Sequence, residues 1–214
     1  MRRCFLSVLI GGALLCGCAN QPADDSTTPS ETAPAEPAEP TPAPPGQSET
    51  VEPENPSPEK EVTLDVMTWE EITALVPQHK GKVVVMDLWA TYCPPCVAEF
   101  PNLVQLHKDY PDQIAAISVS LDYDGLGDDA VESYKPKVLS FLKSQKAVNV
   151  HNILCGTDAE TLFTKKIEQN SMPVVYVYDQ EGKLAAQFPN PADPGEFTYQ
   201  KDIRPVVEKL LASQ

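Results

Sequence analysis

Two cysteines separated by two prolines, Cys93-Pro94-Pro95-Cys96, stand between a run of strand-forming residues and a stretch of helical periodicity. The run, Val83 to Leu88, is apolar and largely β-branched, as in a central strand covered on both faces. Only Asp87 interrupts it. Helical spacing follows from Pro94 to about Tyr110, so the pair falls where a helix starts. A helix N-terminus carries roughly half a positive charge, which favours thiolate over thiol, and the thiolate is the nucleophile of disulfide exchange. Cys93, nearer the loop, is expected to attack, and Cys96, one turn into the helix, to resolve the mixed disulfide. A zinc site would need a second ligand pair. Cys155, His79, His107 and His151 are scattered without ligand spacing, so no metal and no cofactor is expected.

The elements around this pair define an α/β domain over residues 61–214. Val62 to Val66 reads as a short strand, and Thr68 to Val76 as a helix whose Thr68 and Glu71 match a capping box. Ile114 to Leu121 reads as a second buried strand, giving a β-α-β unit with parallel strands. A helix over Val131 to Lys146, a strand over Val150 to Cys155 and a helix over Asp158 to Ile167 with an Asp cap come next. Strands Val174 to Tyr178 and Leu184 to Phe188 flank a turn ending in Gly182. Asp202 to Ala212 closes the chain as a helix. This order predicts a mixed central sheet, first parallel and then antiparallel, with helices on both faces.

Upstream the composition changes. Residues 1–18 have Arg2 and Arg3 ahead of an apolar run too short to span a bilayer, the pattern of an export signal. Its end, Leu15-Cys16-Gly17-Cys18, resembles the bacterial lipoprotein processing box, which implies lipidation of Cys18 and anchoring on the outer side of a membrane. Residues 19–60 hold 11 of the chain's 22 prolines and nine of its acids, with Lys60 the sole basic residue. Such a segment buries too little apolar surface to offset its ordering entropy and reads as a tether. The formal net charge is -15. With no basic stripe, nucleic acid is not an expected partner.

The run Asp87-Leu88-Trp89-Ala90-Thr91-Tyr92-Cys93-Pro94-Pro95-Cys96, followed by Glu99-Phe100-Pro101, resembles the active-site region of the TlpA/ResA-like branch of the thioredoxin superfamily. The resemblance implies a thioredoxin-like fold and thiol–disulfide exchange with exported proteins. It favours a reductase, for instance of apocytochrome or metallochaperone cysteines, recharged by a membrane electron donor. It places Asp87 where thioredoxins carry a buried acid beneath the resolving cysteine. Desolvation would raise that carboxyl's pKa and suit it to taking the Cys96 proton. Glu99, one turn beyond Cys96, matches a glutamate implicated in tuning such dithiols. Met172-Pro173 matches the cis-proline loop that faces the redox pair, where the Met172 backbone pairs with an extended substrate.

Trp89, Tyr92 and Pro94 are expected to flank Cys93 as an apolar docking surface, Trp89 being equally readable as core; Tyr92 stands where the family usually has tryptophan. Cys155 reads as a buried apolar residue. Two other functions use the same cysteines: a Cu(I)-binding and delivery module holding the metal by soft thiolates, and a thiol peroxidase relying on one of them. An oxidase direction is also open, because two intervening prolines do not fix a reduction potential.

Overall fold

A computed structural model describes residues 60–213 apart from positions 127, 128, 168 and 170. The expected export signal, the expected lipidation site Cys18 and the expected tether up to residue 59 lie outside the described residues.

Six strands form one mixed sheet: β1 (Asp65–Met67), β2 (Val83–Trp89), β3 (Ile114–Ser120), β4 (His151–Cys155), β5 (Val174–Tyr178) and β6 (Leu184–Phe188), in the spatial order β1-β4-β3-β2-β5-β6. All seven residues of β2 and all seven of β3 are buried, which is why both read as largely apolar runs, broken only by Asp87 in β2 and by Ser118 and Ser120 in β3. β2 runs parallel to β3 and antiparallel to β5, so it lies at the centre of the sheet. β4 and β1 extend the parallel half, and the β5–β6 hairpin supplies the antiparallel edge. The hairpin turn closes at Gly182, whose φ of 83° suits a residue without Cβ.

Alternation along β2 sorts its side chains onto two faces. Val83, Val85 and Trp89 pack with Phe100, Leu103 and Leu106 of helix α2 (Pro94–Asp109). The same cluster takes in Val138 and Leu142 of α3 (Lys135–Ser144) and Val207 of the C-terminal helix (Arg204–Leu211). Val84, Met86 and Leu88 instead meet Trp69 and Ile72 of α1 (Trp69–Thr73) and Leu162. Helices thus cover both faces, as the order of elements predicted, and the arrangement is the thioredoxin-like one that the resemblance implied. Asp87 falls by alternation on the same face as Val85 and Trp89, toward α2.

Both helix caps expected from local chemistry are present. Thr68 and Glu71 form the full capping box, the Thr68 N–H donating to Glu71 Oε2 at 2.8 Å. Asp158 caps α4 (Ala159–Thr161), its Oδ1 accepting from the Thr161 N–H at 2.8 Å. Boundaries differ elsewhere. The first strand is Asp65–Met67 rather than Val62 to Val66, because its register is set by pairing with Ile153 to Cys155. The helix expected over Val131 to Lys146 is a 3-10 turn, Val131–Tyr134, followed by α3, which has Pro136 in its first turn where a missing N–H costs nothing. The expected helix from Asp158 is one α-turn and a wider π-turn, Leu162–Lys166. The last helix starts earlier than Asp202, with a π-turn over Tyr199–Ile203 capped by Thr198, before α5 (Arg204–Leu211).

Candidate active site

Cys93 is the N-cap of α2, and its Sγ accepts from the Cys96 N–H at 3.4 Å. Cys93 and Cys96 are joined in a disulfide with their Cα atoms 5.3 Å apart. Both cysteines are buried, Cys93 at 7% exposure and Cys96 at 2%. Cys93 sits at the positive end of a helix of 16 residues, and Cys96 lies in its first turn. Pro94 occupies the first helical position, where its ring pre-sets φ, and both Pro94 and Pro95 are exposed.

The loop ahead of Cys93 is held by a carboxylate that the sequence reading passed over. Asp122, buried just beyond the end of β3, accepts from the Thr91 N–H at 2.9 Å, from the Thr91 hydroxyl, and from the Ser120 hydroxyl at 2.8 Å. Lys137 Nζ lies 3.5 Å from it and offsets its charge. An acid directly after a buried strand, at the sheet end that carries Cys93, was the available signal. Tyr92 stands out from this loop at 56% exposure, with Lys137 Nζ 5.9 Å from its ring centroid. Partial burial and the charges of Asp122 and Asp124 push the Tyr92 phenol up.

Trp89 is not part of a docking surface. It is 1% exposed, donates from Nε1 to Ser118 Oγ at 2.9 Å, and packs against Phe100 and Phe141 at ring separations of 4.9 and 4.7 Å. Its place at the end of β2 puts it under the active-site helix, so the contact it makes is with the core. Tyr92 and Pro94 remain as the exposed flank of Cys93.

Asp87 is 3% exposed. Its Oδ2 accepts from the Tyr199 hydroxyl at 2.7 Å, and its Oδ1 has no hydrogen-bond partner among the described residues. Burial pushes the carboxyl from the ordinary 3.8 to about 7; the Tyr199 hydrogen bond pulls the other way and the Glu99 charge adds to the rise. Glu99, half-buried on α2, accepts at Oε2 from the Tyr199 N–H at 2.9 Å and from Asn102 Nδ2 at 3.1 Å. Tyr199 was not singled out from sequence. It lies 112 residues from Asp87, and nothing local marks it.

The Met172-Pro173 peptide is cis, as the resemblance implied, and Phe188-Pro189 is a second cis bond that was not anticipated. Met172, Pro173 and Pro189 line a groove of about 450 Å³ together with Pro95, Glu99 and Phe197. The groove therefore runs from Pro95, one of the two residues between the cysteines, to the cis-proline loop. Cys155 is fully buried and its thiol is pushed up to about 11, chiefly by that burial, which fits a core residue. His151 pairs with Asp65 at 3.1 Å on the far side of the sheet order from β2. Among the described residues no three His, Cys, Asp or Glu side chains are grouped to hold a metal ion, and no helix is long and apolar enough to cross a membrane.

The family model described as Redoxin matches residues 70–203, a span that holds Asp87, both cysteines, Glu99, Met172-Pro173 and Tyr199. Over 109 residues the chain is 28% identical to the thioredoxin-like protein YneN of Bacillus subtilis, covering 49% of this chain and 55% of that one. It is 32% identical over 108 residues to the thiol-disulfide oxidoreductase ResA of the same organism, covering 49% and 51%. The chain spans about half the length of these two relatives. With the thiol:disulfide interchange protein DsbE of Haemophilus influenzae the identity is 24% over 136 residues, covering 64% and 65%. Among solved structures, a DsbF homologue from Corynebacterium diphtheriae is 21% identical, covers 62% of this chain and 74% of that one, and superposes with a TM-score of 0.48.

Proposed function

Because the chain belongs to the Redoxin family, we propose that it is a thiol–disulfide oxidoreductase that reduces disulfides of exported proteins, such as apocytochrome or metallochaperone cysteines, while anchored to a membrane by lipid on Cys18. The observation that carries this reading is the Cys93–Cys96 disulfide at the N-terminus of α2, with the more exposed cysteine at the cap. The relatives named as thiol–disulfide oxidoreductases support it.

In the reduced protein the Cys93 thiolate attacks one sulfur of the substrate disulfide. A mixed disulfide forms, and the other substrate sulfur leaves as a thiolate that takes a proton from solvent. Asp87, as carboxylate, accepts the Cys96 proton; with its pKa near 7 it can both take and return a proton at neutral pH. The Cys96 thiolate then attacks Cys93 Sγ, which releases the second substrate sulfur as a thiolate that takes up the proton held by Asp87 and leaves the Cys93–Cys96 disulfide. Two electrons have passed to the substrate. A membrane electron donor returns two electrons and two protons to restore the dithiol. The substrate backbone lies in the groove between Pro95 and the Met172-Pro173 loop, paired with Met172 as an added strand.

The reduction potential of the Cys93–Cys96 couple tests the direction, read by thiol alkylation in a glutathione or dithiothreitol redox series. A value near or below about -250 mV is expected for a reductase; one near about -120 mV makes the protein an oxidant and overturns the proposed direction.

A further inference from the structure

Tyr199 touches both Asp87 and Glu99, and each contact comes from a different part of the residue. Its hydroxyl donates to Asp87 Oδ2 at 2.7 Å, and its backbone N–H donates to Glu99 Oε2 at 2.9 Å. Asp87 is on β2 and Glu99 on α2, so Tyr199 ties the sheet side of the redox centre to the helix side. The ring is 2% exposed, and its position is fixed from behind: Thr198 caps the turn that begins at Tyr199, accepting from the Lys201 N–H at 3.2 Å. The remaining neighbours of Asp87 on the adjoining strands, Ser118 on β3 and Val175 on β5, carry no charge. The titratable groups acting on Asp87 are therefore Tyr199 and Glu99 on α2.

We propose that Tyr199 is the positioning residue that sets the protonation of Asp87, by donating to its carboxylate while holding the Glu99 charge in place beside it. This inference rests on the reading of Asp87 as the proton acceptor for Cys96. Two opposed effects meet at one carboxyl. Burial and Glu99 favour its neutral form, and a buried phenol donor favours its charged form. Because Oδ1 has no partner, the Tyr199 hydroxyl on Oδ2 is the one protein donor to this carboxyl among the described residues. Without it, Asp87 would hold its proton to higher pH and fewer molecules would be ready to accept the Cys96 proton. The residues just before Tyr199, Glu196 to Thr198, line the substrate groove, so the same short segment forms a wall of the groove and orients the acid.

The test is a carboxyl-carbon NMR titration of Asp87 in the oxidised full-length protein, where neither active-site sulfur titrates, paired with the pH profile of mixed-disulfide resolution. Tyr199→Phe keeps the ring and loses the donor. Its Asp87 midpoint is expected about one pH unit higher, a tenfold change in the carboxylate ratio below the midpoint, with the resolution profile shifted equally. A 3-fluorotyrosine at position 199, a more acidic and stronger donor, moves the midpoint down. Opposite displacements by two near-isosteric changes would not arise from a packing role. An Asp87 midpoint unmoved in both variants overturns the inference. Asp87→Asn separates this from the underlying reading: a resolution profile unchanged in that variant removes Asp87 as proton acceptor, even where the titration still follows position 199.

Discussion

Replacing Asp87 by asparagine should stabilise the oxidised protein by an amount that grows with pH. In the native state the carboxyl titrates at about 7, and in the unfolded chain it returns to the ordinary 3.8. Below pH 4 the group is protonated in both states and the linkage is silent. Between about pH 4 and 7 the unfolded chain has ionised while the native carboxyl still holds its proton, so each pH unit removes about 1.4 kcal/mol of native stability. Above the native value both states are ionised and the loss stops growing. Across the interval between the two midpoints the total comes to about 4 kcal/mol. The asparagine side chain does not titrate, so wild-type stability measured against Asp87→Asn should fall by about 4 kcal/mol from pH 4 to 7 and stay level above it. Any fixed cost of the substitution, such as an unpaired amide donor where Oδ1 now lies, shifts the whole curve without changing its slope. The assay is urea unfolding of both oxidised proteins at half-unit steps from about pH 4 to 8.5. A difference constant across that range would mean that the carboxyl is solvated and titrates normally, which refutes the burial argument for its role.

Cys96→Ser should accumulate a mixed disulfide between Cys93 and a protein substrate, seen as a reducible adduct on a gel, because the resolving thiol is gone; Cys93→Ser should form none, and the reverse pattern would exchange the two roles. Cys155, fully buried with its thiol pushed up to about 11, should resist iodoacetamide at pH 8 in the native oxidised protein and react only on unfolding. Rapid native labelling, followed by mass spectrometry, would place it outside the core.

Residue order alone determined the parts of this protein that rest on local chemistry and periodicity. The largely apolar runs at 83–88 and 114–121 are legible because a strand buried on both faces needs no polar side. The cap at Thr68 and the cysteine at the mouth of α2 are legible because capping and helix-end electrostatics act within one turn. Even the anomaly of Asp87 could be read, since a carboxylate inside such a run must be buried. Its partners could not. Tyr199 and Asp122 reach the redox centre from 112 and 31 residues away, brought there by the sheet order and the packing of the C-terminal segment. Trp89 reads equally as surface or core in one dimension, and the closure of Phe100 and Phe141 over it decided the matter. The π-turns at 162–166 and 199–203 likewise depend on how each segment seats its buried residues, Leu162, Tyr199 and Ile203, against the sheet. Periodicity specifies which face of an element is apolar; only the folded chain specifies which charged or aromatic group stands opposite, because that choice follows from long-range packing and carries no local signal.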